Sequence, residues 1–512
     1  MRRRRGMKNR ICPGNSPDRR KDMSTESAAG AGALSGFMKS RMKSVAVAAA
    51  LIAGTWFWIA LPIEGMTPEG NRIFGALIAW VILLTAEVTD ASIITLLWLV
   101  FLIIAGLAKP GVALSGFTDN TTWLLMGALM IGQACNSTGL ARRVAFRFIN
   151  LTGERYGTLT MCLLISGAIL GLMMPSGTAR AALYVPIYMG LCDVMKIEKG
   201  SRTALNLVMI TIWSAAIGGG CMMWLTGSVL NPIMTSALAK FGVNQTWISY
   251  AVYSFPSAVV LMVLTWLTIN FVAPPDSPTI GGGREMLRRE YEKLGPMSPE
   301  ERRTLIIVCA CVLSWMFGDK IGRLTGLSLG SAWTAMFFGL ILFLPRIGVL
   351  TGKDIKSISW PSILFIGASL AISPIMELGQ IDRWITDNLV SPILEPCLEY
   401  GFIGFVLGMY VLCHIIHKLI PSGTGTVALA APLLIAWGTA HGFDAALMGH
   451  MTLHGMRPFI FPYEHTPAIL MYSFGFVTMP RFLRCTLSLS LVAVIWYVLS
   501  AYYWSWLSGF YH

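Results

Sequence analysis

The sequence predicts an all-α membrane protein that crosses the bilayer many times. Of its 512 residues, 55% are hydrophobic and only 13% are charged, which is too little charge to cover a soluble protein of this size. Apolar runs of about 18 residues or more, long enough to cross a hydrocarbon core, recur from residue 45 to residue 507. Because lipid cannot satisfy backbone polar groups, we expect these runs to be helices.

The amino-terminal segment is polar and basic, and we expect residues 1–44 to form a disordered cytoplasmic tail. No apolar signal region follows it at the usual distance. The formal charge of +13 is better explained by basic loops that orient a membrane protein than by nucleic-acid binding. Ten cysteines are scattered without a CxxC pair, which is typical of small buried residues rather than metal ligands or disulfides.

The apolar runs can be placed in order along the chain. Residues 273–303 form the one large polar loop between them. Two pairs of short segments and two long interrupted segments stand out from the ordinary spans. The predicted segments are 45–63, 73–89, 91–108, 122–140, the short pair 158–174 and 179–193, the interrupted 203–238, 248–272, 304–319, 329–346, 361–376, the short pair 402–420 and 425–440, the interrupted 444–478, and 484–508.

An internal repeat organises the chain. The motif Pro-Ser-Gly-Thr occurs at 175–178 and again at 421–424, each time between two short apolar segments and followed by Ala-Leu and a second Pro at the same spacing. Each motif is preceded by a Gly-Ala pair, and a further Gly stands twelve residues after the Gly of that pair. Blocks 122–238 and 360–478 are therefore predicted to be one structural unit used twice.

The loop charges give an orientation for this repeat. If each motif is the tip of a re-entrant hairpin, the chain crosses eleven times. With the amino terminus in the cytoplasm and the carboxyl terminus outside, the inner segments between spans hold eighteen Lys and Arg residues and the outer ones hold six. Five crossings separate the hairpins, so the second repeat is inverted. Inverted repeats with helices broken at corresponding positions are typical of secondary transporters.

The breaks predict a site near the bilayer midplane. Irregular backbone is tolerated at that depth only where it is buried or lines a cavity. Each tip would offer free amides to an anion and carbonyls and hydroxyls to a small cation such as Na+. The long segments are broken at "AAIGGGCMMWLTGSVLNP" (215–232) and "PFIFPYEHTP" (458–467). The threading leaves three cations at intramembrane positions: Arg180, Lys418 and Arg457.

These motifs resemble the divalent-anion/sodium symporter family, which includes Na+/dicarboxylate and citrate cotransporters, sulfate transporters and plastid oxoglutarate/malate translocators. The resemblance covers residues 45–508 and includes "SAAIGGGCMMWLTGSVLNP", which is similar to the family's sodium loop. It implies an elevator-type transporter, usually a homodimer, in which 122–238 and 360–478 form the transport domain. Scaffold helices would then occupy 45–121 and 239–359, with a final transmembrane helix in 479–512.

The resemblance also implies site residues. Hairpin tips in the family usually read Ser-Asn-Thr, and here glycine replaces both asparagines, which predicts a wider pocket with fewer donors. Arg180 is either compensating charge beside the first tip or a capping or snorkelling arginine. The substrate-binding set is Ser176, Gly177, Thr178, Arg180, Ser422, Gly423, Thr424 and Thr466. The first Na+ is expected near Ser176, Gly177, Thr178, Gly219, Gly220 and Asn231. The second coupling site would include Ser422 and Gly423, together with Glu464 and His465, which do not belong to the usual family pattern.

The second broken segment departs further from the family pattern. An intramembrane Glu is costly and is by default a functional candidate. Six of the seven histidines lie between His414 and His465, and His exchanges protons near neutral pH. Glu464 and His465 could therefore couple to H+. The alternative is that Glu464 pairs with Arg457 or Lys418 and only stabilises the loop.

Together these features favour a secondary active transporter of a small anion, with a di- or tricarboxylate as substrate and Na+ as coupling ion. H+ coupling, exchange, and another oxyanion such as sulfate stay open. A cation/proton antiporter or an arsenite-type exporter would need more buried carboxylates. A membrane-embedded enzyme would have only His414 and His417 near Ser422 to use, and no P-loop suggests an ATP-driven pump. We expect no cofactor and no nucleic-acid partner, and place the chain in a bacterial inner membrane.

Overall fold

The computed structural model describes residues 42–59, 63–217, 220–327, 329–420 and 422–509. Over these residues the chain is helical, and its one β-type contact is an isolated bridge between Arg155 and Thr279. The predicted all-α class is confirmed. Most of the predicted tail lies outside the described residues.

Most predicted spans contain one helix that begins and ends within a few residues of the expected bounds. The interrupted segments contain separate short helices, as predicted, but 361–376 is also divided, into Trp360–Ser369 and Ile372–Leu378, where no break was predicted. The helices, numbered in chain order, are α1 Met42–Ile59, α2 Pro68–Thr85, α3 Ala91–Ile104, α4 Pro110–Ala113, α5 Asn120–Ser137, α6 Leu140–Ile149, α7 Tyr156–Met173, α8 Gly177–Val194, α9 Arg202–Ile212, α10 Gly220–Met223, α11 Leu230–Lys240, α12 Trp247–Val272, α13 Gly283–Glu292, α14 Pro299–Thr325, α15 Ser331–Ile341, α16 Trp360–Ser369, α17 Ile372–Leu378, α18 Ile381–Ile385, α19 Ser391–Leu398, α20 Gly401–Leu419, α21 Gly423–Ala440, α22 Ala445–Gly455, α23 Thr466–Ser473 and α24 Met479–Leu507.

Many of these helices are long and apolar enough to cross a membrane. In the described part of the chain, eight pass by length and composition, and nine pass if the pair α5–α6, bent by 72°, is one span. The hairpin arms α7, α20 and α21 are among them. The polytopic prediction is therefore confirmed, and the count of eleven crossings stays a prediction.

Both Pro-Ser-Gly-Thr motifs lie where one helix ends and the next begins. At the first, the backbone is extended at Met174 and Ser176, and the Ser176 hydroxyl accepts a hydrogen bond from the third residue of α8. This is the usual role of serine at a helix start, since the first amides have no partner within the helix. Ser422 caps α21 in the same way.

Each motif joins two arms whose side chains are in contact. The hydroxyls of Ser166 on α7 and Tyr184 on α8 are 2.7 Å apart. The rings of Phe405 on α20 and Trp437 on α21 are 5.9 Å apart. In both pairs the two residues are nearly equidistant from the motif, which is the geometry of a helical hairpin.

The predicted breaks are also present. α9 ends in a π-type turn at Trp213–Ile217, and α10 and α11 follow it as separate helices. α7 approaches this break closely because its facing residues are glycines. A β-carbon at Gly171 would overlap the backbone of Gly220, and one at Gly220 would overlap the carbonyl of Gly167. In the second repeat, residues 456–465 separate α22 from α23.

The two repeats pack crosswise. α8 of the first hairpin packs against α23 of the second repeat, and α21 of the second hairpin packs against α11 of the first. In the same way, α9 of the first repeat contacts α23 of the second, and α11 of the first contacts α22 of the second. Outside these pairs, α12 packs along α24. Reciprocal contacts of this kind are what two copies of one unit related by a two-fold axis would make. They bring each hairpin against the broken helix of the other repeat.

Residues 273–303, which were predicted to be a polar loop, contain a helix, α13. This helix packs against α6 and α8, and its exposed face carries ion pairs three and four residues apart. Beside it, Arg143 forms a two-pronged ion pair with Glu301, with both nitrogen–oxygen distances 2.9 Å. No apolar run predicted α18 and α19, which lie between the predicted segments 361–376 and 402–420.

Candidate functional site at the hairpin tips and broken helices

Arg180 is fully buried beside the first tip and binds backbone carbonyls. Its Nε donates to Ala215 at 2.8 Å, and its Nη1 donates both to Met174 and, at 3.1 Å, to Gly227. Its Nη2 contacts the sulfur of Cys221. One side chain thus ties the tip to both sides of the break in the first repeat.

The corresponding residue of the second hairpin is neutral. Thr426 and Arg180 each stand five residues after the proline of their motif. The Thr426 hydroxyl donates to Ile420 at 2.9 Å and to Ser422 at 2.8 Å. Ile420 and Met174 are equivalent positions, so both residues satisfy the same carbonyl just before the tip.

Asn231 links the two broken helices. Its amide nitrogen donates to the carbonyls of Cys221 and Trp224, both at 2.8 Å, and its side-chain oxygen accepts from Arg457. Arg457 is 2% exposed, and its Nε has no hydrogen-bond partner among the described residues. The carbonyl of Arg457 accepts from the ring of His465 at 3.3 Å. The predicted Na+ ligand Asn231 therefore binds a guanidinium.

Glu464 is enclosed in the second break and is paired. Its carboxylate accepts from the backbone amides of Phe461 at 2.8 Å and Ile460 at 3.1 Å. Lys418, just before the second tip, lies 2.5 Å from it, and the ring of His417 lies 3.9 Å from it. These contacts agree with the alternative in which Glu464 pairs with Lys418 and stabilises its loop.

These contacts form one polar network from tip to tip. It runs from Arg180 through the first break to Asn231 and Arg457, and from there through the second break to Glu464 and Lys418. Three cations and one carboxylate leave the network a formal charge of +2 when its histidines are neutral. All three intramembrane cations that the threading left over belong to it.

The residues of the tips themselves present little side-chain bulk. Thr178 is exposed and Thr424 is half-buried. A β-carbon at Gly177 would lie 3.4 Å from the carbonyl oxygen of Ala215, and one at Gly423 would lie 3.4 Å from Leu230. These are ordinary contact distances, so packing does not demand glycine here. A methyl group at either position would be in contact with its neighbours without overlapping them.

The other predicted site residues are distributed as follows. Gly220 is buried at the start of α10, where it serves close packing. Thr466 is exposed at the first position of α23. Gly219 lies outside the described residues, as does the proline of the second motif.

The predicted binding sets did not include Arg457 and Lys418, although both were considered as ion-pair partners of Glu464, and Lys418 is its partner in the structure. The contact of Arg457 with Asn231 joins segments of different repeats, so no local pattern reveals it. The one available signal was their charge within apolar segments, because an uncompensated intramembrane cation is expensive.

Two adjoining cavities open beside α11 and α21. The smaller, of about 270 Å³, is lined by Asp119, Lys240, Ala428 and Pro432 among others. The larger, of about 890 Å³, shares Lys240 and Pro432 and is rich in charged side chains. Ala428 lies five residues into α21, so the smaller cavity reaches within about 8 Å of the second tip along the helix.

Known proteins resemble this chain over most of its length. The family described as the sodium:sulfate symporter transmembrane region matches residues 39–510. The chloroplastic dicarboxylate transporter 1 of Spinacia oleracea is 23% identical over 450 residues, covering 84% of this chain and 77% of the relative. A putative malate transporter of Bacillus subtilis is 24% identical over 484 residues, covering 91% and 97%. A sodium-dependent dicarboxylate transporter of Staphylococcus saprophyticus is 21% identical over 443 residues, covering 81% and 82%.

Proposed function

Because the chain belongs to the sodium:sulfate symporter family, and is thus a membrane transporter rather than an enzyme, we propose that it carries a small divalent anion past its two hairpin tips. The proposed substrate is a dicarboxylate, with sulfate or another oxyanion as the alternative. The binding region would lie beside the two tips, where glycine replaces the asparagine that is usual in the family.

The proposal rests on two buried arginines that have no counter-charge among the described residues. Arg180 and Arg457 are buried in the network, and no carboxylate of the described residues lies within ion-pair distance of either guanidinium. A buried charge without a counter-charge is strongly unfavourable, and intramembrane cations mark substrate pathways. A dianion would neutralise the formal charge of +2 that the network carries.

The choice of a dicarboxylate is supported by the relatives and by the tips. The names of the three relatives specify dicarboxylate or malate. A glycine in place of a larger side chain at each tip favours an extended anion over a compact one. The helix starts at Gly177 and Gly423 also direct free amides toward the tips, and such amides favour negative charge.

Na+ is the coupling ion that the family implies, and the Staphylococcus relative is named as sodium-dependent. Exchange of one dianion for another is a second mode, and a specific observation favours it. Arg180 is a fixed buried cation beside the first tip, and it binds carbonyls on both sides of the first break. Coupling to H+ through Glu464 is less favoured, since Lys418 and two backbone amides hold its carboxylate.

The remaining expectations belong to the same proposal. They are an elevator movement of 122–238 and 360–478 against the scaffold helices, a homodimer, and a bacterial inner membrane with the amino terminus in the cytoplasm. The crosswise packing of the repeats supports a common transport domain.

Uptake into proteoliposomes tests the proposed function. Radiolabelled succinate, citrate and sulfate would be offered under an imposed Na+ gradient, under an imposed H+ gradient, and to vesicles loaded with the same unlabelled anion. We expect label to enter for succinate in at least one condition. If no anion enters in any of the three conditions, the proposed function is wrong.

A further inference from the structure

We propose that a groove between α12 and α14 holds one anionic phospholipid, with its phosphate at the polar end of the groove and an acyl chain along the apolar side. The groove encloses about 390 Å³ and is lined by the first two turns of α12 and the last turns of α14. Its lining residues do not belong to the network at the tips, so the inference goes beyond the proposed function.

The polar end of the groove carries positive charge. Lys320 and Arg323 of α14 line it together with Thr246 and Ser249 at the start of α12. No Asp or Glu is among the described residues that line this cavity. Ammonium, guanidinium and hydroxyl groups are the side-chain donors that bind phosphate oxygens. The charge of the polar end is therefore complementary to a phospholipid headgroup.

Membrane topology does not account for these two cations. In the proposed orientation, the carboxyl end of α14 lies outside, where the segments between spans hold six Lys and Arg residues. The positive-inside rule concentrates such residues on the cytoplasmic side. Two of the six outer cations nevertheless line this one groove. Their position therefore calls for a local explanation, which an anionic headgroup provides.

The groove continues toward the membrane interior as apolar surface. Ile248 and Val252 of α12 are exposed, as are Met316 and Leu313 of α14. Lys320, Met316 and Leu313 follow one another at spacings of four and three residues, so they share one face of α14. This arrangement of a cation above an apolar stripe matches a phosphate above an acyl chain. A free anion would use the cation alone.

Stacked aromatic rings join the two helices beside the groove. Trp247 of α12 and Trp315 of α14 are buried, and their ring centroids lie 6.1 Å apart. Trp247 also stacks with Trp224 of the first break, with the centroids 5.4 Å apart. The two sides of the groove are thus held by packed side chains, and a preformed site loses less free energy to ordering when it binds.

The first test compares headgroups on the wild-type chain. Phosphatidylcholine proteoliposomes would contain a trace of phospholipid with a photoreactive acyl chain and either a phosphatidylglycerol or a phosphatidylcholine headgroup. Mass spectrometry of peptides would measure the label on residues 246–253 and 313–323. We expect at least five times more label there with phosphatidylglycerol. Equal labelling with the two headgroups, or no label in these segments, would overturn the inference.

The second test removes the charge. Lys320→Gln/Arg323→Gln should lower phosphatidylglycerol labelling of the groove at least fivefold. Lys109→Gln is the matched control, because Lys109 is an exposed lysine on the same proposed side of the membrane. Wild-type labelling of the double variant would show that the inference is wrong. If the double variant fails to fold, the comparison of headgroups still decides.

A third measurement distinguishes a lipid from a free anion. Labelling of the wild-type chain by the phosphatidylglycerol analogue would be repeated with an excess of inorganic phosphate. We expect the label to be unchanged within a factor of two, because free phosphate lacks the acyl chain that the apolar side binds. A fivefold loss of label would mean that the groove binds free phosphate, and the lipid assignment would be wrong.

Discussion

The buried pair of Lys418 and Glu464 allows a sharp test of what the second break does. Lys418→Met would leave the Glu464 carboxylate enclosed with two backbone amides and no cation. The Glu464 side chain is fully buried, whereas Lys418 keeps 23% of its side chain exposed. We therefore expect a loss of about 3 kcal/mol, the lower end of the range for breaking a buried ion pair.

The double variant Lys418→Met/Glu464→Gln should recover most of this loss. Its glutamine oxygen can still accept from the two amides, and no buried charge remains, so we expect stability within about 1 kcal/mol of the wild type. Lys240→Met is the control, because Lys240 lies 3.8 Å from Glu377 at an exposed site. We expect that control to lose less than about 1 kcal/mol.

The assay is unfolding of the purified protein in detergent micelles by titration with SDS. A difference of about 3 kcal/mol corresponds to roughly a hundredfold change in the unfolding equilibrium. Transport by Glu464→Gln would be measured in parallel over pH. We expect the shape of its pH profile to match the wild type, because the ion pair holds the carboxylate. The reasoning is refuted if the double variant is as unstable as Lys418→Met, or if Glu464→Gln removes a pH dependence.

Three further predictions concern other parts of the fold. Thr178→Ala and Thr424→Ala should each reduce succinate uptake at least tenfold with the elution profile of the folded protein unchanged; wild-type uptake in both would remove the tips from the mechanism. Gly171→Ala should destabilise the protein by about 1–3 kcal/mol, since its methyl group would overlap backbone across the first break, and SDS titration would measure this. In the loop 273–303, burial raises the pKa of Asp276, but hydrogen bonds from the Thr203 amide and hydroxyl, together with the neighbouring Arg202, outweigh it, so the net pKa lies below its usual value of 3.8. A lowered folded pKa means that the stabilisation is present above the unfolded pKa and is lost as pH falls through the folded one. Asp276→Asn should therefore destabilise at pH 7 and become neutral at the acid end; an equal effect at both would contradict this.

Much of the fold could be predicted from the sequence because membrane helices leave strong local signals. The apolar runs, the two Pro-Ser-Gly-Thr motifs and the interrupted segments all correspond to helices, hairpins and breaks in the structure. α13 was taken for loop because its charged sequence lacks an apolar run, yet i,i+3 and i,i+4 ion pairs support it. A hydropathy pattern indicates short charged helices such as α13 less clearly than it indicates membrane spans.

The site could be predicted only in part. The motifs identified the tips, and Ser176 and Ser422 serve there as helix caps. Composition could not show that Arg457 binds Asn231 or that Arg180 binds the carbonyls of the break, because these contacts depend on crosswise packing of the repeats. The charge of these residues was the one clue.

Competition between anions measures whether the buried fixed charge of the network selects a dianion. Exchange of radiolabelled succinate would be inhibited by unlabelled succinate and by butyrate, which has the same carbon chain and one carboxylate. We predict that succinate competes at least tenfold more strongly than butyrate, and that Arg457→Gln narrows this difference while Arg142→Gln does not. Equal competition by the two anions in the wild type would contradict the account.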